Sequence, residues 1–270
     1  MPPLGTLPQE IIDKVIDELG EAYRNVEHPD DSIGVAREAL HASALVSKNW
    51  TGRSRTHLFS EVKITADASS PLLIPPKSLM PYVKELEIRM RAGHYRPSPS
   101  QNLLKPFHAA PITSLEIVGG ALSPAKVPLM ECIIVLSATL RIVTFESCSL
   151  SISLILDIAL RHPDLKRLRL NSCEVKPTNS DHYLTPRLDT HPTDLELGVL
   201  PGFDVQDHNL TMAMIAQLPI RFRRLHLNYL RSPTMTRTFN TLIEANAESL
   251  SFLQVNIVTG TPRIFRPKEL

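Results

Sequence analysis

The segment LKRLRLNSC, Leu165–Cys173, follows the pattern L-x-x-L-x-L-x-x-C in full. The predicted fold is based on this pattern. Six weaker copies occur along the chain: VKELEIRMR, ITSLEIVGG, LRIVTFESC, PTDLELGVL, FRRLHLNYL and LSFLQVNIV. The seven copies begin at residues 83, 112, 140, 165, 192, 222 and 250, so the period is 25 to 30 residues. One such match arises readily by chance, but seven in register indicate a repeat architecture.

The segments between the copies have helical apolar spacing, and proline precedes many of the copies. Proline cannot continue a helix and pushes the preceding residue toward extended geometry, so it separates helix from strand. The prolines in question are Pro81, Pro111, Pro163, Pro192 and Pro219. The pattern is typical of a leucine-rich repeat. We therefore predict an α+β or α/β solenoid, an irregular leucine-rich-repeat array of about seven units over residues 63–270.

Charged residues lie between the leucines of the copies, where strand alternation turns them outward onto the concave side. Their sign changes from acidic to basic to acidic to basic along the chain, whereas a nucleic-acid groove keeps one sign. A mixed-sign face suits a polypeptide ligand, and the alternative is a solvated face without a ligand. The predicted target-binding residues are Glu85, Glu87, Glu116, Glu146, Arg167, Arg169, Glu196, Arg224 and His226.

The first 62 residues lack the repeat and begin with an amphipathic segment, TLPQEIIDKVIDELG, Thr6–Gly20. Its apolar residues recur at spacings of three and four, and Thr6 with Gln9 forms a capping box, so we predict a helix. The segment is more apolar than one buried face requires. Two further segments follow, ALVSKNW at residues 44–50 and SRTHLF at residues 54–59.

Together, these three segments resemble the F-box domain, in the form found in mushroom-forming fungi. The resemblance implies a small three-helix F-box-like module over residues 1–62 that packs on a Skp-type adaptor and thereby joins a cullin–RING ubiquitin ligase. The adaptor-facing residues that it implies are Leu7, Pro8, Ile11, Ile12, Val15, Ile16, Leu45, Val46 and Trp50. The alternative is that all nine form the core of the helical module.

Composition argues against several classes of function. The formal net charge is +1, from 29 basic and 28 acidic residues, so electrostatics give no reason to expect nucleic acid or membrane as a partner. Three cysteines favour free thiols in a reducing compartment, and we see neither a secretory signal nor a membrane span. These features predict a cytoplasmic or nuclear protein, or one that occupies both compartments.

No catalytic or cofactor motif stands out. The chain has no G-x-S-x-G, no G-x-x-x-x-G-K-[ST] and no H-E-x-x-H, and its 10 glycines offer no phosphate-binding loop. The densest polar cluster is Asp181, His182, Asp189 and His191, whose spacing follows no established metal site. We therefore expect no enzyme activity, no cofactor and no metal.

These observations predict a non-catalytic substrate-recognition subunit of a Skp–cullin–F-box ubiquitin ligase. The N-terminal module would bind the adaptor and the repeat region would bind a protein target. The alternative is a stand-alone leucine-rich-repeat interaction scaffold that is not coupled to a ligase. A third hypothesis, a hydrolase or metal enzyme built on the loop around Asp181 and His191, predicts bound metal, which we do not expect.

Overall fold

The computed structural model describes residues 8–24, 32–66, 74–90, 105–119, 121–122, 139–162, 164–177, 193–198, 205–218, 220–229, 233–257 and 263–265. The chain divides into two compact units. The first comprises Met1–Val62 with Pro75–Lys84, and the second comprises Lys63–Ile74 with Glu85–Leu270. Within the part of the chain described, no helix combines the length and the apolar character needed to cross a membrane.

The first unit is helical. Its α-helices are α1 (Gln9–Arg24), α2 (Ser32–Val46) and α3 (Lys48–Leu58), and a 3₁₀ helix spans Lys77–Tyr82. Helix α3 begins after Ser47, whose hydroxyl accepts a hydrogen bond from the Asn49 backbone N–H at 3.3 Å and so satisfies one orphan donor. Ile16, Leu40, Met80 and Val83 are buried in this unit. The core of the first unit therefore includes residues that lie well beyond position 62.

The second unit is built on a nine-stranded, mostly parallel sheet. The strand order is β1-β2-β3-β5-β7-β9-β10-β11-β12, and β12 pairs antiparallel with β11. The strands of this sheet are β1 (Glu61–Ala66), β2 (Glu85–Met90), β3 (Ser114–Val118), β5 (Ile142–Glu146), β7 (Arg167–Asn171), β9 (Thr193–Gly198), β10 (Phe222–Tyr229), β11 (Phe252–Ile257) and β12 (Arg263–Phe265). A smaller parallel sheet contains β4 (Ala121–Leu122), β6 (Ser149–Ser151) and β8 (Glu174–Lys176).

The described connections between the strands of the large sheet include three α-helices and a 3₁₀ helix. They are α4 (Ile152–Arg161), α5 (Val205–Ala216), α6 (Pro233–Asn246) and the 3₁₀ helix Lys105–Ala109. Asn246 at the end of α6 is buried and fixes the start of β10, because its Oδ1 accepts a hydrogen bond from the Phe222 N–H at 2.8 Å. Its Nδ2 also donates to the Leu242 carbonyl at 2.7 Å, so both ends of this buried amide are satisfied.

The same turn follows three neighbouring strands of the large sheet. Gly119, Ser147 and Ser172 come after β3, β5 and β7, and all three have positive φ, at 76°, 54° and 51°. The N–H of each donates to a carbonyl at the end of the next strand, on Glu146, Asn171 and Gly198 respectively. This left-handed turn redirects the chain into the short strands of the second sheet.

The predicted fold class is wrong. We expected a three-helix F-box-like module and an irregular leucine-rich-repeat solenoid, whereas the structure shows an α/β fold with a mostly parallel sheet. The first unit includes a 3₁₀ helix from beyond residue 62. In the second unit the described connections are not one recurring element, since a 3₁₀ helix precedes β3 and α-helices of 10, 12 and 14 residues precede β7, β10 and β11. The sequence period marks strand positions without specifying a repeated unit.

Candidate functional site

Large apolar side chains stand exposed on two helices of the first unit. Ile11 and Val15, one turn apart on α1, are 48% and 51% exposed. On α2, Leu45 is 88% exposed, Val46 is 65% exposed and Val35 is 64% exposed. Scattered exposed apolar residues are ordinary, but adjacent large ones on a short helix favour contact with another chain.

The structure separates the nine residues implied to face the adaptor into several groups. Ile11, Val15, Leu45, Val46 and Pro8 are exposed. Ile12 and Trp50 are half-buried, Ile16 is buried with 2% exposure, and Leu7 lies outside the described residues. Val35, which the sequence did not single out, is exposed near the start of α2, at the opposite end of that helix from Leu45 and Val46. A partner bound to this unit would therefore contact the exposed members, while Ile16 belongs to the core.

An ion cluster joins α1 to α3. The Arg53 guanidinium donates from Nε to Asp17 Oδ1 at 2.8 Å and from Nη2 to Oδ2 at 2.5 Å, and its Nη1 lies 2.8 Å from Asp13 Oδ2. His57 Nε2 lies 2.9 Å from Asp17 Oδ1. Hydrogen bonds from Arg53 and then from His57 hold the pKa of Asp17 far below its usual value. The sequence shows two acids and two bases each four residues apart, but only the packing of α1 against α3 brings them together.

Replacing Asp17 with Asn should lower the unfolding temperature at pH 7, by about 2 °C for a partly exposed cluster. Because the pKa of Asp17 is lower in the folded state than in the unfolded state, its contribution to stability is present above about pH 4 and is lost as pH falls further. The difference in unfolding temperature between wild type and variant, measured by circular dichroism, should therefore become smaller below pH 4. Glu18→Gln, at an exposed position paired with Lys14 at 4.0 Å, is the control and should change little.

The outward side chains of the large sheet form rows that run across the strands. In β3, Leu115 and Ile117 are fully buried, and the alternate residues point to the other face and are half-buried. Parallel register aligns the central row as Glu87, Glu116, Thr144, Arg169, Glu196, His226 and Gln254. A second row holds Glu85, Ser114, Ile142, Arg167, Asp194, Arg224 and Phe252. We call this outward surface the sheet face; all nine predicted target-binding residues belong to it, with Glu146 beside Val118 in a third row.

Most charges on the sheet face are already paired. Glu87 is 7% exposed and forms ion pairs with Arg89 and, at 3.2 Å, with Lys63. Burial raises the pKa of Glu87, but the hydrogen bonds from Arg89 and Lys63 outweigh it, so the pKa is lowered overall. Arg169 Nε lies 2.8 Å from Glu196 Oε2. Because the charges within each pair balance, the charges open to a ligand are those outside these pairs.

The far end of the sheet face combines a cation with an aromatic ring. Arg224 lies 4.0 Å from Asp194 and places its guanidinium carbon 4.7 Å from the centre of the Phe252 ring. His226 packs against the same ring at 5.1 Å between centroids. An exposed cation–aromatic contact of this kind is worth about 0.5–1 kcal/mol, so it orders Arg224 on the surface.

Four charged side chains of the sheet face have no ion pair or side-chain hydrogen bond to any described residue: Glu85, Glu116, Glu146 and Arg167. Burial raises the pKa of Glu116, and the neighbouring carboxylates of Glu87 and Glu146 raise it further. Sequence alternation identified all four positions, but it could not distinguish paired from unpaired charges, because pairing depends on the lateral register of the strands.

The described residues offer no group of three or more His, Cys, Asp or Glu side chains that could hold a metal ion. The cluster of Asp181, His182, Asp189 and His191 lies outside them. Cys148 and Cys173 are buried free thiols, and the pKa of Cys148 is raised by its hydrogen bond with Cys173 and by burial. A raised pKa disfavours the reactive thiolate, so the Cys148 thiol suits packing.

Neither protein-family models nor curated proteins match this chain.

Proposed function

We propose that this protein is a non-catalytic substrate-recognition subunit of a Skp–cullin–F-box ubiquitin ligase. Its helical unit binds a Skp-type adaptor, and its sheet face binds a protein target. In this role the chain holds a target near the ligase and performs no chemistry itself. We further propose that it acts in the cytoplasm, the nucleus or both.

The exposed apolar side chains of α1 and α2 carry this proposal. Leu45 and Val46 are adjacent and lie at the end of α2, where the sequence segment ALVSKNW resembles the F-box pattern. Fully burying an exposed Leu, Ile or Val side chain contributes about 1.5–3 kcal/mol, and Ile11, Val15, Leu45 and Val46 are each about half to nine-tenths exposed, so together they can sustain a stable interface. The adaptor is the occupant that the sequence resemblance implies for these positions.

The mixed charge of the sheet face supports the second half of the proposal. The central row changes from acidic at Glu87 and Glu116 to basic at Arg169 and back to acidic at Glu196, and a face with both signs selects polypeptides of complementary charge. A polyanion such as nucleic acid would meet Glu87, Glu116 and Glu146 at one end of this face.

The test is affinity purification of the tagged full chain from cells of a mushroom-forming fungus, with quantification of the co-purified Skp-type adaptor and cullin. We expect both proteins to be enriched at least tenfold over an Ile11→Asp, Val15→Asp double variant. Both positions are about half exposed, so the variant should still fold.

Equal adaptor and cullin recovery from wild type and variant would contradict the proposal. Recovery of other proteins with no adaptor would instead favour an interaction scaffold that is not coupled to a ligase.

A further inference from the structure

Among the unpaired charges of the sheet face, the half-buried Glu116, Glu146 and Arg167 define what its target presents, whereas Glu85 is exposed at the edge of the face. We infer that the sheet face binds an extended polypeptide segment that sets a basic side chain on Glu116 and an acidic side chain, four residues away, on Arg167. This inference rests on the proposed function only in taking the target to be a polypeptide.

The acidic end can accept a cation. Glu116 is half-buried on β3, next to Glu87 on β2 and diagonal to Glu146 on β5. Glu87 is neutralised by Lys63 and Arg89, whereas Glu116 and Glu146 have no ion-pair partner among the described residues. A lysine or arginine side chain placed here would relieve the repulsion between these carboxylates and form charge-assisted hydrogen bonds.

The basic end lies two strands away. Arg167 on β7 is half-buried and forms no ion pair within the described part of the chain, while the nearby Arg169 is held by Glu196. Strands lie about 4.8 Å apart and residues rise about 3.3 Å each, so the Cα atoms of Glu116 and Arg167 are roughly 12 Å apart. An extended segment covers about 13 Å in four residues and turns both side chains to the same side.

Thr144 lies between these two ends. It aligns with Glu116 on one side and with Arg169 on the other, and it is 7% exposed. Its hydroxyl forms no hydrogen bond with the described residues and is not among their fully buried unpaired atoms, so it reaches solvent on the sheet face. A ligand backbone that crosses β5 between the two charged contacts can form a hydrogen bond with this hydroxyl.

The probe is a fluorescein-labelled nine-residue peptide containing Lys-Ser-Thr-Ser-Asp, with binding to the full chain measured by fluorescence anisotropy at low salt. Two control peptides replace Lys by Gln or Asp by Asn. We expect the charged peptide to bind at least tenfold more tightly than either control. Glu116→Gln should abolish the preference for Lys over Gln, and Arg167→Gln should abolish the preference for Asp over Asn.

The matched control variants are Glu244→Gln and Arg237→Gln, which remove the same charges from exposed positions on α6. They should bind all three peptides as wild type does. Glu116→Lys should restore tight binding to a peptide in which Glu replaces the lysine. Equal affinity of the wild type for the three peptides, or no measurable binding of any of them, would overturn the inference.

Adaptor binding by the same preparations separates this inference from the proposed function. If the adaptor binds but the peptides are not distinguished, the inference fails and the proposed function stands. If the peptides are distinguished but the adaptor does not bind, the peptide site stands and ligase membership fails.

Discussion

Replacing Leu45 and Val46 together by Asp should weaken binding of a Skp-type adaptor at least about 100-fold, with no change in unfolding temperature. The two side chains are 88% and 65% exposed, so their substitution leaves the folded chain intact. Each substitution removes about 1.5–3 kcal/mol that burial of the apolar side chain contributes to binding, and it places a carboxylate in the interface. The two substitutions together therefore exceed the roughly 2.7 kcal/mol that corresponds to a 100-fold loss of affinity. Surface plasmon resonance with immobilised adaptor measures the effect.

Val35→Asp is the matched control for this double variant. Val35 is 64% exposed on the same helix, but it is not among the residues implied to face the adaptor. Its substitution should change adaptor affinity less than threefold. Adaptor affinity of the Leu45, Val46 variant within threefold of wild type would contradict the placement of the interface at the end of α2.

Replacing Phe145 by Ala should lower the free energy of unfolding of the second unit by about 3–5 kcal/mol. Phe145 is fully buried on β5, near the middle of the large sheet, and is among the largest fully buried side chains of the described chain. Its removal leaves a cavity beneath Thr144 and Glu146, the neighbouring residues that face outward. Urea unfolding monitored by circular dichroism gives the free energy, and peptide binding to the sheet face should be lost together with folding.

Ser114→Ala is the control, because Ser114 lies on the outward side of β3 and is half-buried. Its effect should stay within about 0.5 kcal/mol. A decrease of less than about 1 kcal/mol in the free energy of unfolding for Phe145→Ala would contradict the assignment of the face that carries Phe145 to the core.

Sequence reasoning located strands well because the leucine pattern marks the face that each strand buries. A strand begins within two residues of the start of each of the seven sequence copies, and Leu168, Leu170, Leu225 and Leu227 are buried. Sequence reasoning predicted the wrong architecture because the segments between the strands share helical apolar spacing but differ in length and in helix type. The period alone cannot distinguish a repeated unit from a parallel sheet whose connections differ.

For the candidate site, single-strand alternation was informative and lateral contacts were not. Glu87 was expected to face a ligand, but it forms ion pairs with Lys63 on β1 and with Arg89. Strand β1 corresponds to none of the seven sequence copies, so the contact from Lys63 could not be predicted. Likewise, Ile16 and Val15 are neighbours in one apolar run, yet the first is buried and the second is 51% exposed. Helical spacing shows which residues share a face of the helix, whereas the burial of each one depends on how much of that face the neighbouring helices cover.

The ion cluster of Asp17, Arg53 and His57 shows the same limit. Both pairs of charged residues were visible in the sequence, but only the packing of α1 against α3 brings them together.

Isothermal titration calorimetry of purified Skp-type adaptor into the full chain measures the proposed interaction itself. We expect saturable binding of one adaptor per chain, with a Kd below about 1 μM. The absence of saturable heat at adaptor concentrations up to about 100 μM, from a chain that unfolds cooperatively, would contradict it.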